Sequence, residues 1–276
     1  MLDVLIPAVL CVVMILFNFL REREIDKKIP PAKLPNVGSA TTLGTKSVQQ
    51  DYFASKRLDG ATLLLLADGQ GENGDAAAKM AVDTFRDLFN DKKAANKPQY
   101  YFKRSANAAN KKITNTLEER QGETSMAAVV IDDAKFFYML IGNSKVAVFR
   151  NGDLIPVSEG QTVDVLARHR YYEGKISKRE TLALLNERRL YNILGTDEFQ
   201  DIEIFDKPIS LQENDLVIVM SEGVFNTLQW SEIESALSSK NFNVQDAARD
   251  IIARVNRSSH IEKENASILI YRQDSR

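Results

Sequence analysis

Four carboxylates stand beside apolar runs in this chain: Asp51, Asp68, Glu222 and Glu264. Asp68 is the clearest, because Leu63-Leu64-Leu65-Leu66-Ala67 ends in it and Gly69-Gln70-Gly71 follows. A ligand-holding group belongs at such a junction, where a rigid strand meets a permissive loop. Gly69 and Gly71 let the backbone approach whatever Asp68 holds. If the four acids converge, they form an oxygen-rich site suited to hard divalent cations such as Mg²⁺ or Mn²⁺. Two such ions bridged by Asp68 would lower the pKa of a shared water and screen a phosphate. Each acid taken singly also fits a solvated turn, so sequence spacing alone does not establish convergence. One cysteine, Cys11, and two histidines, His169 and His260, leave no zinc site and no disulfide. Ser221 has no histidine base in view and takes a supporting role.

The elements that must position these acids read as hairpins alternating with paired helices. Residues 48–55 form a first strand, and Asp59-Gly60 turns the chain into a buried strand at 61–67. Ala77, Met80, Ala81, Phe85 and Phe89 recur at helical spacing, which predicts a helix over 75–89 whose start points toward Asp68. A second helix covers 101–117. Strands follow at 124–130, 136–141 and 146–149, with turns at Asp132-Asp133 and Asn151-Gly152. The stretch 158–200 is charged and hard to read: 163–168 fits a strand or a short helix, and 178–186 favours helix. Short strands at 202–205 and 216–220, the second ending in the loop Ser221-Glu222-Gly223, helices at 230–238 (capped by Thr227 or Ser231) and 247–255, and a strand at 267–271 complete the chain. No βαβ repeat appears, so the expectation is two sheet layers covered by helices, an α+β fold.

The chain has 276 residues, 44% hydrophobic and 27% charged, in the range of ordinary folded proteins. Its net charge of -2, with Lys and Arg interleaved among acids, gives no stripe for nucleic acid. Val4 to Leu20 is uncharged and would span roughly 25 Å as a helix, against about 30 Å of hydrocarbon. Local thinning absorbs that deficit. An uncleaved anchor is favoured over a signal peptide or a buried terminal helix, because no small-residue cleavage motif follows. Arg21, Arg23, Lys27 and Lys28 flank its C-terminal side, which places the large domain in the cytoplasm as a single-pass membrane protein. Residues 21–35 read as a juxtamembrane linker and 36–276 as the domain, with the Pro-containing stretch 29–43 a short, partly extended spacer.

The order of several motifs resembles the PPM-type, metal-dependent serine/threonine protein phosphatases. The resemblance covers about residues 40–271. It is carried by the stretch from Gly44 to Asp51, by Asp68-Gly69-Gln70-Gly71 and by Gly122-Glu123-Thr124-Ser125. Gly142-Asn143-Ser144-Lys145, Ser221-Glu222-Gly223 and Glu264-Asn265-Ala266-Ser267 complete it. It implies a four-layer α-β-β-α sandwich of two antiparallel sheets flanked by helices, with 158–200 as its variable flap. It also implies that Asp51, Asp68, the Gly69 carbonyl, Glu222 and Glu264 hold two Mg²⁺ or Mn²⁺ ions, and that Lys46 binds phosphate. Gln70, Asn143, Ser221, Gly223 and Asn265 take supporting places.

The departures from that family pattern bear on function. Lys46 stands where the family has Arg, replacing a bidentate clamp with a point charge. Glu222 and Glu264 stand where it has Asp, keeping charge but moving the oxygens by one methylene. Asn143 replaces an Asp that would help hold a third metal, and Gln70 stands where members carry His or Met. The expected function is a membrane-anchored phosphoserine/phosphothreonine protein phosphatase of weak or restricted activity. The rival is an inactive pseudophosphatase acting as a phosphoprotein-binding scaffold. The expected partner is a phosphorylated protein, such as a membrane-associated kinase or its substrate.

Overall fold

The tight turn at Asp59-Gly60, with φ of 51° and 94°, sets the register from which the first sheet grows. Both central residues take positive φ, as a two-residue hairpin with a right-handed twist requires. A computed structural model of the chain describes residues 34–273 apart from 91–93, 95, 118–120, 198, 206 and 239–242. It also describes positions 7, 10, 12–14 and 16.

Strands β2 (Asp51–Leu58), β3 (Ala61–Gln70), β4 (Glu123–Asp132), β5 (Lys135–Ile141) and β8 (Glu203–Ile204) lie side by side in that order. The short β9 (Ile209–Ser210) also pairs with β5. The other sheet runs β1 (Val37–Thr42), β11 (Ala266–Arg272), β10 (Leu216–Met220), β6 (Lys145–Arg150) and β7 (Asp153–Pro156). Their pairings are antiparallel in both sheets. Helices α1 (Gly74–Leu88) and α2 (Pro98–Thr116) follow β3. The 158–200 stretch carries α3 (Val163–Tyr172) and α4 (Lys178–Leu184). After β10 come α5 (Glu222–Thr227), α6 (Trp230–Leu237) and α7 (Val244–Arg257).

Strand alternation distributes the core. Leu63, Leu65 and Ala67 pack with Ala78, Phe85 and Phe102 of the first helix layer. Leu64 and Leu66 are equally buried but point the other way, into the gap between the sheets. On the second sheet Ile218, Met220, Ile268 and Ile270 pack with Val224, Ile251 and Ile252. Each such side chain contributes about 1.5–3 kcal/mol when fully buried. β11 lies near β2 and β3, which closes the expected α-β-β-α arrangement.

Three elements differ from the sequence reading. The stretch 29–43 was expected as spacer, yet Val37–Thr42 is a strand paired with β11. Its small, polar residues show no alternation, and its partner comes from the far end of the chain. Ser221-Glu222-Gly223 was expected as a loop, but Glu222 opens α5. The cap of α6 is Gln229, in a capping box with Glu232, and neither Thr227 nor Ser231. The ambiguous 163–168 stretch is helical.

Among the described residues no helix is long and apolar enough to cross a membrane. The expected span 4–20 and most of the linker 21–35 lie outside the described residues. The few positions described there are helical, with Leu10, Val12, Val13, Met14 and Leu16 exposed.

Candidate active site

Asp68 continues the row of Leu64 and Leu66 toward the end of the gap between the sheets, where apolar packing stops. Asp51 faces it directly in the β2–β3 ladder, on the face that carries buried Phe53. From the other sheet, the end of β10 and the start of β11 arrive at the same place. The Ser221 hydroxyl donates to Asp51 Oδ2 at 2.8 Å. The Ser267 N–H in turn donates to Ser221 Oγ at 2.9 Å. The Ser267 hydroxyl, which pairs with Thr41 Oγ1 at 2.7 Å, also lies near the Asp51 carboxylate and favours its charged form. The Glu222 N–H, in the first turn of α5, donates to Asp68 Oδ2 at 3.2 Å.

Burial and mutual repulsion dominate the electrostatics. Burial pushes the Asp51 carboxyl up to about 6, against the lowering effect of the Ser267 and Ser221 hydroxyls, and the nearby charge of Glu264 adds to the rise. Asp68 is pushed well above the usual carboxylate range, first by burial and then by the charge of Asp51. The carboxylates of Glu222 and Glu264 raise it further.

The other expected site residues are placed around this pair. Glu222 accepts from Asn143 Nδ2 at 2.6 Å and from Asn226 Nδ2 at 2.8 Å, one on each oxygen. Glu264 is ion-paired with Lys46 at 2.9 Å, and both side chains are about half exposed. Asn265 Oδ1 accepts from the Gln50 N–H at 2.8 Å while its Nδ2 donates to the Leu43 and Val48 carbonyls, so it fixes the loop between β1 and β2. Gly69 gives its N–H to the Gln50 carbonyl at 3.1 Å. A Cβ at Gly69 would lie 2.1 Å from the Gly74 carbonyl oxygen, so this glycine lets α1 close onto the strand. Gln70 pairs with Glu123 at the end of β3, and Gly223 packs its α-carbon against the Asn265 backbone.

Asp51 and Asp68 are therefore brought together, with the Glu222 backbone beside them. The Glu222 and Glu264 side chains are turned to amide and ammonium partners. Among the described residues, no group of three or more His, Cys, Asp or Glu side chains is gathered closely enough to hold a metal ion. The Asp51–Asp68 pair nevertheless fits a divalent cation. Asp51 Oδ1 is buried without a hydrogen-bond partner, and two ionised carboxylates facing each other, one buried and one partly buried, call for a compensating charge. Sequence reasoning had not singled out Ser267, Ser125 or Gln49. Gln49 accepts from the Asp51 N–H at 3.0 Å and donates to Thr41 Oγ1 at 2.7 Å. Ser267 and Ser125 lay inside motifs already noted, and their membership was the available signal.

Comparison with known proteins decides the family. Residues 40–254 match the family model of protein phosphatase 2C. The chain belongs to this family. A serine/threonine phosphatase stp of Listeria monocytogenes is 23% identical over 225 residues, covering 78% of this chain and 86% of that one. The fold matches the S. agalactiae serine/threonine phosphatase with a TM-score of 0.72 at 19% identity, covering 86% of this chain and 99% of that one. It also matches the catalytic domain of the serine/threonine protein phosphatase PstP in complex with two manganese ions. That TM-score is 0.63 at 19% identity, covering 86% of this chain and 98% of that one. Two antiparallel sheets flanked by helices are thus the architecture this protein phosphatase 2C member shares with those structures.

Proposed function

We propose that the protein is a metal-dependent phosphoserine/phosphothreonine protein phosphatase of restricted activity, anchored in the membrane through residues 4–20 with domain 36–276 in the cytoplasm. The observation that carries the catalytic reading is the Asp51–Asp68 pair, in which Asp51 is buried and one of its oxygens has no partner. Asp51 and Asp68, joined by Glu222, Glu264 and the Gly69 carbonyl, would hold Mn²⁺ or Mg²⁺, two ions in the full complement. Bound there, the metal supplies a low-pKa water and charge to offset the phosphoryl group. Ser221, itself held by the Ser267 N–H, holds the Asp51 carboxylate in place. Lys46, released from Glu264, would hold phosphoryl oxygens as a single charge. The substrate is a phosphorylated protein, such as a membrane-associated kinase or its target.

A specific observation favours a second reading. Asn143, Asn226 and Lys46 already satisfy the carboxylates of Glu222 and Glu264, which suits a pseudophosphatase scaffold that binds phosphoproteins without hydrolysis. The full chain in detergent micelles separates the two. Calorimetry should register Mn²⁺ binding, and phosphate should be released slowly from a phosphothreonine peptide only with metal present. Both should be lost in Asp68→Asn. Absence of metal binding would overturn the site, and binding without turnover would leave the scaffold reading ahead.

A further inference from the structure

Gln161 lies just before α3 and is 3% exposed. Its N–H donates to the Gly142 carbonyl at 2.7 Å. Its side-chain Oε1 accepts from the Gly142 N–H at 3.0 Å and from Asn192 Nδ2 at 2.7 Å. One residue thus holds both polar groups of the Gly142 backbone. Gly142 has φ of +87°, and a Cβ there would come within 2.2 Å of Ser125 Oγ, so this path is open only to glycine.

The next residue spends its carboxamide on both sides of the site. Asn143 Oδ1 accepts from Ser125 Oγ at 3.3 Å, and Ser125 faces Asp68 in the β3–β4 ladder. Asn143 Nδ2 donates to Glu222 Oε2 at 2.6 Å. An amide can make this bond, whereas a carboxylate at 143 would repel Glu222.

We propose that Gln161 is a positioning residue that orients the Glu222 carboxylate through Gly142 and Asn143, tying the 158–200 segment to the phosphatase site. The significance of Glu222 rests on the proposed function above, but the mechanical link does not. Groups around metal ligands that hold them by hydrogen bonds typically change metal affinity by 10–100-fold when removed.

Hydrogen–deuterium exchange on the metal-free full chain in detergent tests the link directly. Gln161→Met keeps the length and removes the acceptor, while Gln161→Glu keeps an acceptor oxygen. Gln161→Met should speed exchange in the 216–228 segment containing Glu222, without speeding it at Leu63–Leu66. It should also weaken Mn²⁺ binding by about tenfold. Gln161→Glu should restore both, and Asn143→Ala should add nothing further to Gln161→Met. Unchanged exchange around Glu222, a uniform increase across both sheets, equal effects of Met and Glu, or multiplying effects of the two sites would each overturn the proposal. If Gln161→Met does not fold, Asn192→Ala, which removes one donor to Oε1, is read by the same criteria. If the wild-type chain takes up no Mn²⁺, the proposed function fails while the exchange measurement still decides the link.

Discussion

Asp51 and Asp68 face each other across the β2–β3 ladder, Asp51 buried and Asp68 partly buried, with one Asp51 oxygen lacking any hydrogen-bond partner. Two carboxylates in this relation oppose each other's ionisation. Neutralising one should therefore stabilise the metal-free protein while damaging metal binding. Asp51→Asn is expected to raise the metal-free Tm by a few degrees and to weaken Mn²⁺ binding at least tenfold, as read by thermal melts and calorimetry. A lower Tm in the metal-free variant would contradict mutual repulsion between the two carboxylates.

The same pair sets a pH dependence. The Asp51 carboxyl moves from 3.8 to about 6 on folding, so between those values the folded state binds more protons than the unfolded one. Stability from this group is then lost as pH rises through that window, and the full penalty applies above about 6. Asp68 is shifted in the same direction. The metal-free Tm should fall between about pH 4 and pH 6, with a flatter profile in Asp51→Asn and in saturating Mn²⁺. A metal-free Tm that rises over that interval would contradict the assigned shifts.

Lys46 and Glu264 form an exposed ion pair, and such pairs contribute only about 0–1 kcal/mol. Lys46→Met should leave the Tm within about 2 °C of wild type. If Lys46 holds phosphate, the KM for a phosphothreonine peptide should rise by about tenfold, and Lys46→Arg should lower KM through its bidentate fork. An unchanged KM in Lys46→Met would remove this residue from the substrate site.

The proposed membrane anchor has its own test. The full chain should stay with membranes through a high-salt wash, and protease added outside intact cells should leave the domain uncut. Deleting residues 4–20 should release it to the soluble fraction. Release by salt alone would argue against a span, and digestion from outside would reverse the orientation.

The Leu63–Leu66 run, the Asp59-Gly60 and Asn151-Gly152 turns and the spacing of α1 are local signals, so the sequence by itself determined the hairpins, the helix pairs and the identity of Asp68 as a strand-end acid. The ordered motifs around Asp51, Asn143, Glu222 and Glu264 likewise carried the family resemblance. Strand β1 escaped because Val37–Thr42 has little hydrophobic alternation and acquires its partner only from β11. Helix α5 escaped because its 6 residues are too few to show a period. Which acids meet was decided by tertiary structure alone. Strand register set Asp51 against Asp68, and sheet stacking brought Ser221 to Asp51. The extra methylene of Glu222 and the amide of Asn143 are both visible in sequence. That they bond to each other depends on a glycine path at 142 and a buried Gln161, contacts between residues too far apart in the chain for any local pattern to encode.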